Sequence, residues 1–185
     1  MVLLKTPAPD TTMTAPDFHL EGTDGKSYTY KDIAGKNGTV VMFICNHCPY
    51  VKGIADRLPA EMKALKKVGI GVVAIMPNDA ESHPEDGFDN MKKFAEEYGF
   101  NFPYLIDDTQ DVAKAYGAVC TPDFFGFDSK KNLVYRGRLD SAGHQKADPA
   151  TIPELRNTMV AVADGEGALI TEQVPSMGCS IKWRE

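Results

Sequence analysis

The chain has 185 residues, 43% of them hydrophobic, and a net charge of −6 at pH 7. This size and composition predict a single globular domain, residues 1–185, with a substantial apolar core. The mild acidity, without long runs of either charge, gives no reason to expect nucleic acid or a membrane as a partner. Residues 1–7 lack the apolar core of a signal peptide, and no apolar stretch is long enough to span a bilayer, so we expect a cytoplasmic protein.

The first third of the chain is predicted to contain a hairpin, a buried strand and a long helix. Residues 1–14, rich in proline and threonine, are expected to form an irregular lead-in, and turn residues within 18–30 indicate a β-hairpin. The apolar run 39–44 is typical of a buried parallel strand. Apolar residues between 49 and about 67 recur at helical spacing, and Pro59 is expected to kink this helix because it lacks an N–H donor.

Strands and helices then alternate until a second hairpin. A buried strand is predicted at 71–76, followed by a helix from about Pro84. A short strand at 104–106 and a short helix at 111–116 come next. Turn residues in the middle of 124–136 indicate an antiparallel hairpin.

The last predicted helix is opened by Asp148 as N-cap and Pro149 at the first helical position. Its buried face would carry Ile152, Leu155, Met159 and Val162. Residues 165–185 are expected to form a C-terminal tail. The complete order, βαβαβ followed by a β-hairpin and a helix, predicts an α/β fold with helices on both faces of a partly parallel sheet.

The most informative motif is the pair of cysteines Cys45 and Cys48, separated by two residues and placed between the strand at 39–44 and the following helix. A thiolate is easiest to form at such a junction, where free backbone N–H groups and the helix dipole favour negative charge. A Cys-x-x-Cys at the first strand-to-helix junction of a βαβ layout indicates thioredoxin-like redox chemistry.

The motifs along the chain resemble those of the thioredoxin-fold superfamily, specifically peroxiredoxin-like proteins of the alkyl hydroperoxide reductase/thiol-specific antioxidant group. The resemblance covers residues 15 to about 163. Ala-Pro-Asp-Phe at 15–18 looks like the start of the peroxiredoxin hairpin, and Val-Cys-Thr-Pro-Asp-Phe-Phe at 119–125 looks like the thioredoxin cis-proline loop. Gly-Cys-Ser-Ile-Lys-Trp at 178–183 resembles the end of a peroxiredoxin-like subgroup. The family implies a thioredoxin-like fold, a central mixed sheet flanked by helices, with an N-terminal β-hairpin and a C-terminal tail.

Two departures from the peroxiredoxin pattern favour thiol–disulfide exchange over peroxide reduction. Peroxiredoxins typically carry Pro-x-x-x-Thr-x-x-Cys; set on Cys48, that pattern places Val41 at the proline and Cys45 at the threonine. The place of the peroxide-polarising arginine is taken by Pro122. The alternative is a thiol-dependent, antioxidant peroxidase with Cys48 as peroxidatic cysteine.

For that alternative, Arg136 or Arg138 could supply the guanidinium from the neighbouring strand. An arginine pair on a hairpin strand is more often a solvated surface.

We predict that Cys48 is the attacking cysteine and Cys45 the resolving one. Pro49 at the first helical position makes Cys48 the N-cap, aimed at the free amides. The competing interpretation starts the helix at Cys45, which would then attack first. A cationic His47 between them would stabilise the thiolate and make the disulfide more oxidising; otherwise His47 is an exposed loop residue of little effect.

Opposite the thiols, Pro122 is predicted to follow a cis peptide bond, which would expose the Thr121 backbone to an extended substrate. Thr121 and Pro49 are accordingly assigned to substrate binding. The expected partners are a disulfide or peroxide substrate and an external thiol reductant, thioredoxin- or glutathione-like. No organic cofactor is expected, because the dithiol itself carries the electrons. The oligomeric state cannot be inferred.

Two further cysteines could join the redox site. Cys120 is expected near the dithiol, either as a third redox thiol or, more commonly, as a small buried apolar residue. Cys179 lies in the tail, where it either resolves a disulfide or helps to anchor the tail through Trp183.

Two other functional classes compete with redox chemistry. Copper or zinc binding, or a metal-chaperone role, would use Cys45, His47 and Cys48, but a structural zinc site needs a fourth ligand. His83 and His144 are expected at the surface, without ligand spacing around them. A binding module that lost turnover could dock a partner on the acidic segment 79–86, although a solvated loop explains those carboxylates.

Overall fold

The computed structural model of the protein describes residues 2–166 and 173–185. Its strands are β1 (Leu3–Lys5), β2 (His19–Gly22), β3 (Ser27–Thr29), β4 (Gly38–Phe43), β5 (Ile70–Met76), β6 (Tyr104–Ile106), β7 (Cys120–Thr121), β8 (Asp123–Phe127), β9 (Leu133–Gly137) and β10 (Met177–Ser180). Its α-helices are α1 (Tyr30–Ile33), α2 (Pro49–Ala55), α3 (Leu58–Lys67), α4 (Phe88–Glu97), α5 (Asp111–Tyr116) and α6 (Glu154–Ala163).

The main sheet of the described residues has seven strands in the order β3-β2-β6-β5-β4-β8-β9. The central strands β4, β5 and β6 are parallel, whereas β8 and β9 on one side and β2 and β3 on the other are antiparallel to their neighbours. This is the mixed thioredoxin-like sheet that the resemblance implied, and both predicted hairpins are present.

Helices cover both faces of this sheet, and β4 is accordingly buried at every position. Val40 and Met42 belong to the core on one face, which contains apolar residues of α2, α3, α4 and α6. Val41 and Phe43 belong to the core on the opposite face, with residues of α1 and α5. Successive side chains of a strand point to opposite faces, so one apolar run supplies both cores.

The two ends of the chain are more ordered than predicted. The expected irregular lead-in, 1–14, contains β1, and the expected tail, 165–185, contains β10. These strands form a second antiparallel sheet in the order β1-β10-β7. Residues 167–172 of the predicted tail lie outside the described residues. Consequently the C-terminal strand lies beside the segment that carries Pro122.

Two of the helices predicted before residue 100 have different boundaries. The helix expected from 49 to about 67 is two helices, broken at Asp56 and Arg57; Pro59 lies in the first turn of α3, where its missing N–H breaks no helical bond. At Pro84 the chain forms only a 3₁₀ turn, and α4 begins after Gly87.

The prediction that Asp148 and Pro149 open the last helix is wrong. Helix α6 begins at Glu154, preceded by Pro153. The Asp148 carboxylate instead accepts hydrogen bonds from Ala150 N–H and the Thr151 hydroxyl, closing a turn. Ile152, assigned to the buried helix face, is 55% exposed.

Candidate active site

The site is built on the N-terminus of α2, directly after β4. Cys48 is the N-cap residue and Pro49 occupies the first helical position, as predicted. The Val51 N–H donates to the Cys48 carbonyl oxygen at 3.0 Å and makes no capping hydrogen bond to the thiol, but its proximity helps to lower the pKa of Cys48. Pro49 begins the helix; a part for it in substrate binding stays a prediction.

Two other thiols contact the Cys48 side chain. Cys179 Sγ, on β10, lies 2.9 Å from Cys48 Sγ. The Cys45 side chain hydrogen-bonds to Cys48 from the other end of the motif. Cys45 Sγ is in turn 3.2 Å from the Thr121 hydroxyl. Two cysteines of one motif and a third from the C-terminal strand therefore form one sulfur cluster centred on Cys48.

Hydrogen bonding makes Cys48 the acidic member of this cluster. The hydrogen bond from Cys45, followed by contacts from Cys179 and the Val51 amide, outweighs burial and lowers the pKa of Cys48 to about 5. The same interaction with Cys48 and burial raise the pKa of Cys45 well above its usual value. Burial and the contact with Cys48 raise the pKa of Cys179 to about 12. One thiolate is thus stabilised by two neutral thiols.

The segment Thr121–Pro122 faces the cysteines, and its peptide bond is cis, as predicted. The carbonyl oxygen of Thr121 is 3.3 Å from Cys48 Sγ. Thr121 also pairs with Cys179 in the antiparallel ladder between β7 and β10. The backbone edge assigned to substrate is therefore occupied by the protein's own C-terminal strand.

His47 is anchored by a buried carboxylate. Its Nδ1 lies 2.7 Å from Asp86 Oδ2, and this contact raises the pKa of His47. Asp86 also accepts hydrogen bonds from the Asn46 amide N–H, at 2.8 Å, and the Asn78 side chain, at 2.7 Å. The His47 side chain is 16% exposed. It is therefore not the exposed loop residue of the alternative interpretation, and Asp86 offsets its positive charge.

Sequence reasoning missed Asp86. The carboxylates of segment 79–86 were expected to lie in a solvated loop, but Asp86 is fully buried and Asp79 is 6% exposed. His83, expected at the surface, is partly buried and stacks on His47 with ring centroids 5.5 Å apart. His144 is exposed, as predicted. No local sequence pattern distinguishes Asp86 from the exposed Glu85 beside it. The available signal was that Asn78 and several acidic residues follow a buried strand closely.

The two arginines offered to the peroxidase alternative, Arg136 and Arg138, bind carboxylates and not the thiols. Arg136 is 6% exposed and binds the fully buried Asp123, with Nη2 2.9 Å from Oδ2. Arg138 forms a two-point pair with Glu154 at 2.6 and 2.9 Å. Both guanidinium groups are thus already bound to carboxylates.

Cys120, on β7, lies near the sulfur cluster, since Cys48 and Cys179 both contribute to raising its pKa. Its Sγ lies 3.8 Å from the carbonyl oxygen of Pro122, a weak hydrogen bond. Burial and the nearby Asp123 raise its pKa to about 12. These properties fit the interpretation of Cys120 as a buried apolar residue.

A metal ion would compete with existing hydrogen bonds at this site. Among the described residues, ligand atoms of Cys45, His47 and Asp86 lie within 4.8 Å of one another, a set that differs from the one predicted. His47 Nδ1 and Asp86 Oδ2 already satisfy each other, and Asn46 and Asn78 bind the same carboxylate. The donors therefore fit a hydrogen-bond network better than a metal centre.

An apolar cavity of about 180 Å³ lies beside Pro122. Tyr50 and Phe124 are among its apolar lining residues, and Lys5 and Arg138 supply cationic groups. None of the four cysteines lines it, and Cys45 and Cys48 have no exposed surface. The cavity can hold an apolar part of a substrate, whereas reaction at sulfur requires a local opening.

Solved structures of similar proteins support the fold. An uncharacterized conserved protein from Geobacillus kaustophilus is 44% identical, with a TM-score of 0.92 over 100% of this chain and 97% of that one. A hypothetical protein from Sinorhizobium meliloti 1021 is 38% identical, with a TM-score of 0.90 over 97% and 98% of the two chains. Peroxidoxin BcpB from Mycobacterium tuberculosis, 17% identical with a TM-score of 0.61 over 88% and 98%, shares the fold.

Curated relatives come from two redox groups. The chain is 32% identical to the thiol-disulfide oxidoreductase ResA of Bacillus subtilis (strain 168) over 65% of its own length and 63% of that protein. It is 29% identical to the chloroplastic peroxiredoxin Q of Triticum aestivum over 60% and 46% of the two lengths. The chain thus spans less than two thirds of these curated relatives.

Within the described residues, no helix combines the length and apolar character needed to cross a bilayer.

The family model that matches the chain is AhpC/TSA, over residues 11–136, a region that contains β2 to β8 and most of β9. It includes Cys45, Cys48 and the cis-proline segment. The chain therefore belongs to the AhpC/TSA family.

Proposed function

We propose that this protein is a thiol–disulfide oxidoreductase in which Cys48 attacks and Cys45 resolves. One observation carries the proposal: the Cys48 sulfur, at the N-terminus of α2, lies between Cys45 and the cis Thr121–Pro122 segment, where its pKa is lowered while that of Cys45 is raised. A thiolate with a neutral thiol in contact is the reactant pair that disulfide exchange needs.

In the proposed reaction the Cys48 thiolate attacks one sulfur of a substrate disulfide. A bond forms between Cys48 Sγ and that sulfur, and the other substrate sulfur leaves as a thiolate. Cys45 then loses its proton to the departing group or to solvent and attacks Cys48 Sγ, which releases the second substrate sulfur. The protein is left with a Cys45–Cys48 disulfide, and an external thiol reductant restores both thiols.

The relatives named thiol-disulfide oxidoreductase support this assignment, and the family match supports thiol redox chemistry in general. The substrate, the thioredoxin- or glutathione-like reductant, the cytoplasmic location and any antioxidant role are parts of the proposal. The match spans less than two thirds of the length of these relatives. Their activity is therefore assigned to this chain only as part of the proposal.

The second candidate is a thiol peroxidase. It is favoured by the burial of Cys48, because a small peroxide needs a smaller opening than a protein disulfide. It is weakened by the absence of both peroxide-activating elements: Cys45 takes the threonine position, Pro122 the arginine position, and Arg136 and Arg138 are bound to carboxylates.

A side-by-side assay separates the two functions. The reduced protein is mixed either with a protein disulfide or with hydrogen peroxide, each in the presence of the same recycling thiol reductant. We expect disulfide reduction that depends on both Cys45 and Cys48, and peroxide consumption close to that of the Cys48→Ser variant. Fast, Cys48-dependent peroxide turnover without disulfide reduction would replace the proposal by the peroxidase.

A further inference from the structure

The C-terminal strand β10 occupies the backbone edge next to the cis-proline. Cys179 is opposite Thr121 and Ser180 is opposite Cys120 in an antiparallel ladder. The Ile181 N–H extends this pairing by donating to the carbonyl of Val119 at 3.0 Å. An extended peptide that added itself to this edge would use the same backbone groups, because strand addition depends on an unpaired edge.

The fit between β10 and the cis-proline segment is close. A side-chain carbon on Gly178 would lie 1.9 Å from the carbonyl oxygen of Thr121, so only glycine allows this approach. The Ser176 hydroxyl donates to the carbonyl oxygen of Pro122 at 2.7 Å. The strand is thus held by shape and by hydrogen bonds.

This docking places a cysteine against the attacking sulfur. Cys179 Sγ lies 2.9 Å from Cys48 Sγ, and the two residues are 2% and 0% exposed. A cysteine of an extended substrate, paired with Thr121 and attacked by Cys48, would have to bring its sulfur to the same place. The strand therefore presents both features of a substrate, the paired backbone and the sulfur.

We propose that β10 is an internal counterpart of a substrate strand and that Cys179 is a third redox thiol, which exchanges a disulfide with Cys48. The proposal rests on the proposed function, because it needs Cys48 as the nucleophile.

In the proposed step, Cys48 has already formed a mixed disulfide with one half of a small disulfide substrate. The Cys179 thiol loses its proton to the substrate thiolate released in the first step and attacks Cys48 Sγ. The Cys48–Cys179 bond forms, the bond to the substrate half breaks, and that half leaves as a thiolate that takes a proton from solvent. Overall, the Cys48 thiolate and the Cys179 thiol are oxidised to a disulfide, and the substrate disulfide is reduced to two thiols. Cys45 can then attack Cys48, which returns Cys179 to the thiol without net oxidation.

The test treats the reduced full-length protein with 2-hydroxyethyl disulfide and follows the products by intact mass and non-reducing peptide mapping. In Cys45→Ser we expect no retained hydroxyethyl adduct and a Cys48–Cys179 disulfide. In the double variant Cys45→Ser/Cys179→Ser we expect the adduct to remain on Cys48. The matched control Cys45→Ser/Cys120→Ser should behave like Cys45→Ser alone.

A stable Cys48 adduct in Cys45→Ser, or a link to Cys120, would overturn the assignment of Cys179 while leaving Cys48 as nucleophile. If Cys48→Ser reacts as fast as the natural protein, the proposed function itself fails. The two failures are therefore distinguishable.

A second variant tests the position of the strand in the Cys45→Ser background. Gly178→Val should collide with the Thr121 carbonyl and slow formation of the Cys48–Cys179 disulfide at least severalfold. Met177→Ala, at a 37% exposed neighbouring position, should not. Circular dichroism identifies any unfolded variant. Equal rates in two folded variants would contradict the docking of β10 as the cause of exchange.

Discussion

Two buried cysteines near Thr121 have thiol pKa values that are shifted in opposite directions. Cys48, at the N-terminus of α2, and Cys120, on β7, are both 0% exposed. Yet the pKa of Cys48 is lowered to about 5, whereas that of Cys120 is raised to about 12. Burial alone raises a thiol pKa, so the difference comes from the neighbours of the two thiols. Cys48 faces the Thr121 carbonyl oxygen but also interacts with the thiols of Cys45 and Cys179. Cys120 faces the carbonyl oxygen of Pro122 and the carboxyl of Asp123.

The carboxylates beside the two regions show the same contrast. Asp86, on the Cys48 side, has its pKa lowered, against the effect of burial, by hydrogen bonds from His47, Asn78 and the Asn46 amide. Burial raises the pKa of Asp123, on the Cys120 side, to about 6 despite its pair with Arg136. Hydrogen bonds therefore outweigh burial at Asp86, whereas burial outweighs the pair with Arg136 at Asp123.

The largest expected effect is the loss of disulfide-exchange activity when Cys48, but not Cys120, is replaced. Cys48→Ser should reduce the rate of disulfide exchange by about a thousandfold or more, because it removes the nucleophilic thiolate. Cys120→Ser should leave the rate within about twofold, because its thiol is protonated at neutral pH. Both rates are measured by reduction of a small disulfide with the same reductant. Comparable losses in the two variants would remove the distinction between the regions.

The next effect concerns the carboxylate that holds the Cys48 side together. Asp86→Ala should lower the free energy of unfolding by about 3 kcal/mol, because it leaves His47, Asn78 and the Asn46 amide without their shared acceptor. Glu85→Ala, at the exposed neighbouring position, is the matched control and should change it by less than about 0.5 kcal/mol. Chemical denaturation of the reduced proteins measures both, and equal losses would show that Asp86 has no special structural role.

A smaller effect should show how much Cys45 and Cys179 each lower the pKa of Cys48. Cys45→Ala removes the strongest hydrogen bond to the thiolate, worth about 1.5–3 kcal/mol, so the pKa of Cys48 should rise by roughly one to two units. Cys179→Ala should raise it by less. The pH dependence of ultraviolet thiolate absorbance gives each value. An unchanged pKa in Cys45→Ala would mean that another group stabilises the thiolate.

Much of the site follows from local sequence. The apolar run before Cys45 and the proline after Cys48 predicted the strand, the helix and the N-cap, because these depend on neighbouring residues. The cis bond before Pro122 was predicted from the resemblance of residues 119–125 to the thioredoxin cis-proline loop and from the strand that follows. A single domain remains a prediction.

The rest depends on contacts between distant segments. The burial of Asp86 requires His47 and Asn46 from another loop, so its surroundings in sequence could not reveal it. The pairing of β10 with β7 brings Cys179 to Cys48 across more than half of the chain, a choice among many possible partners. The break between α2 and α3 was predicted only as a kink, since propensity does not fix how far a helix continues.

The central claim, that donors and not exposure select the reactive cysteine, is tested most directly by residue-resolved alkylation of the reduced protein across pH. Because a thiolate reacts and a thiol does not, the rate at Cys48 should rise with pH, with a midpoint at about 5, and then stay level. Cys120 should remain unmodified through neutral pH. A midpoint for Cys48 near 9.0, the ordinary value, or modification of Cys120 at the same rate would contradict the account.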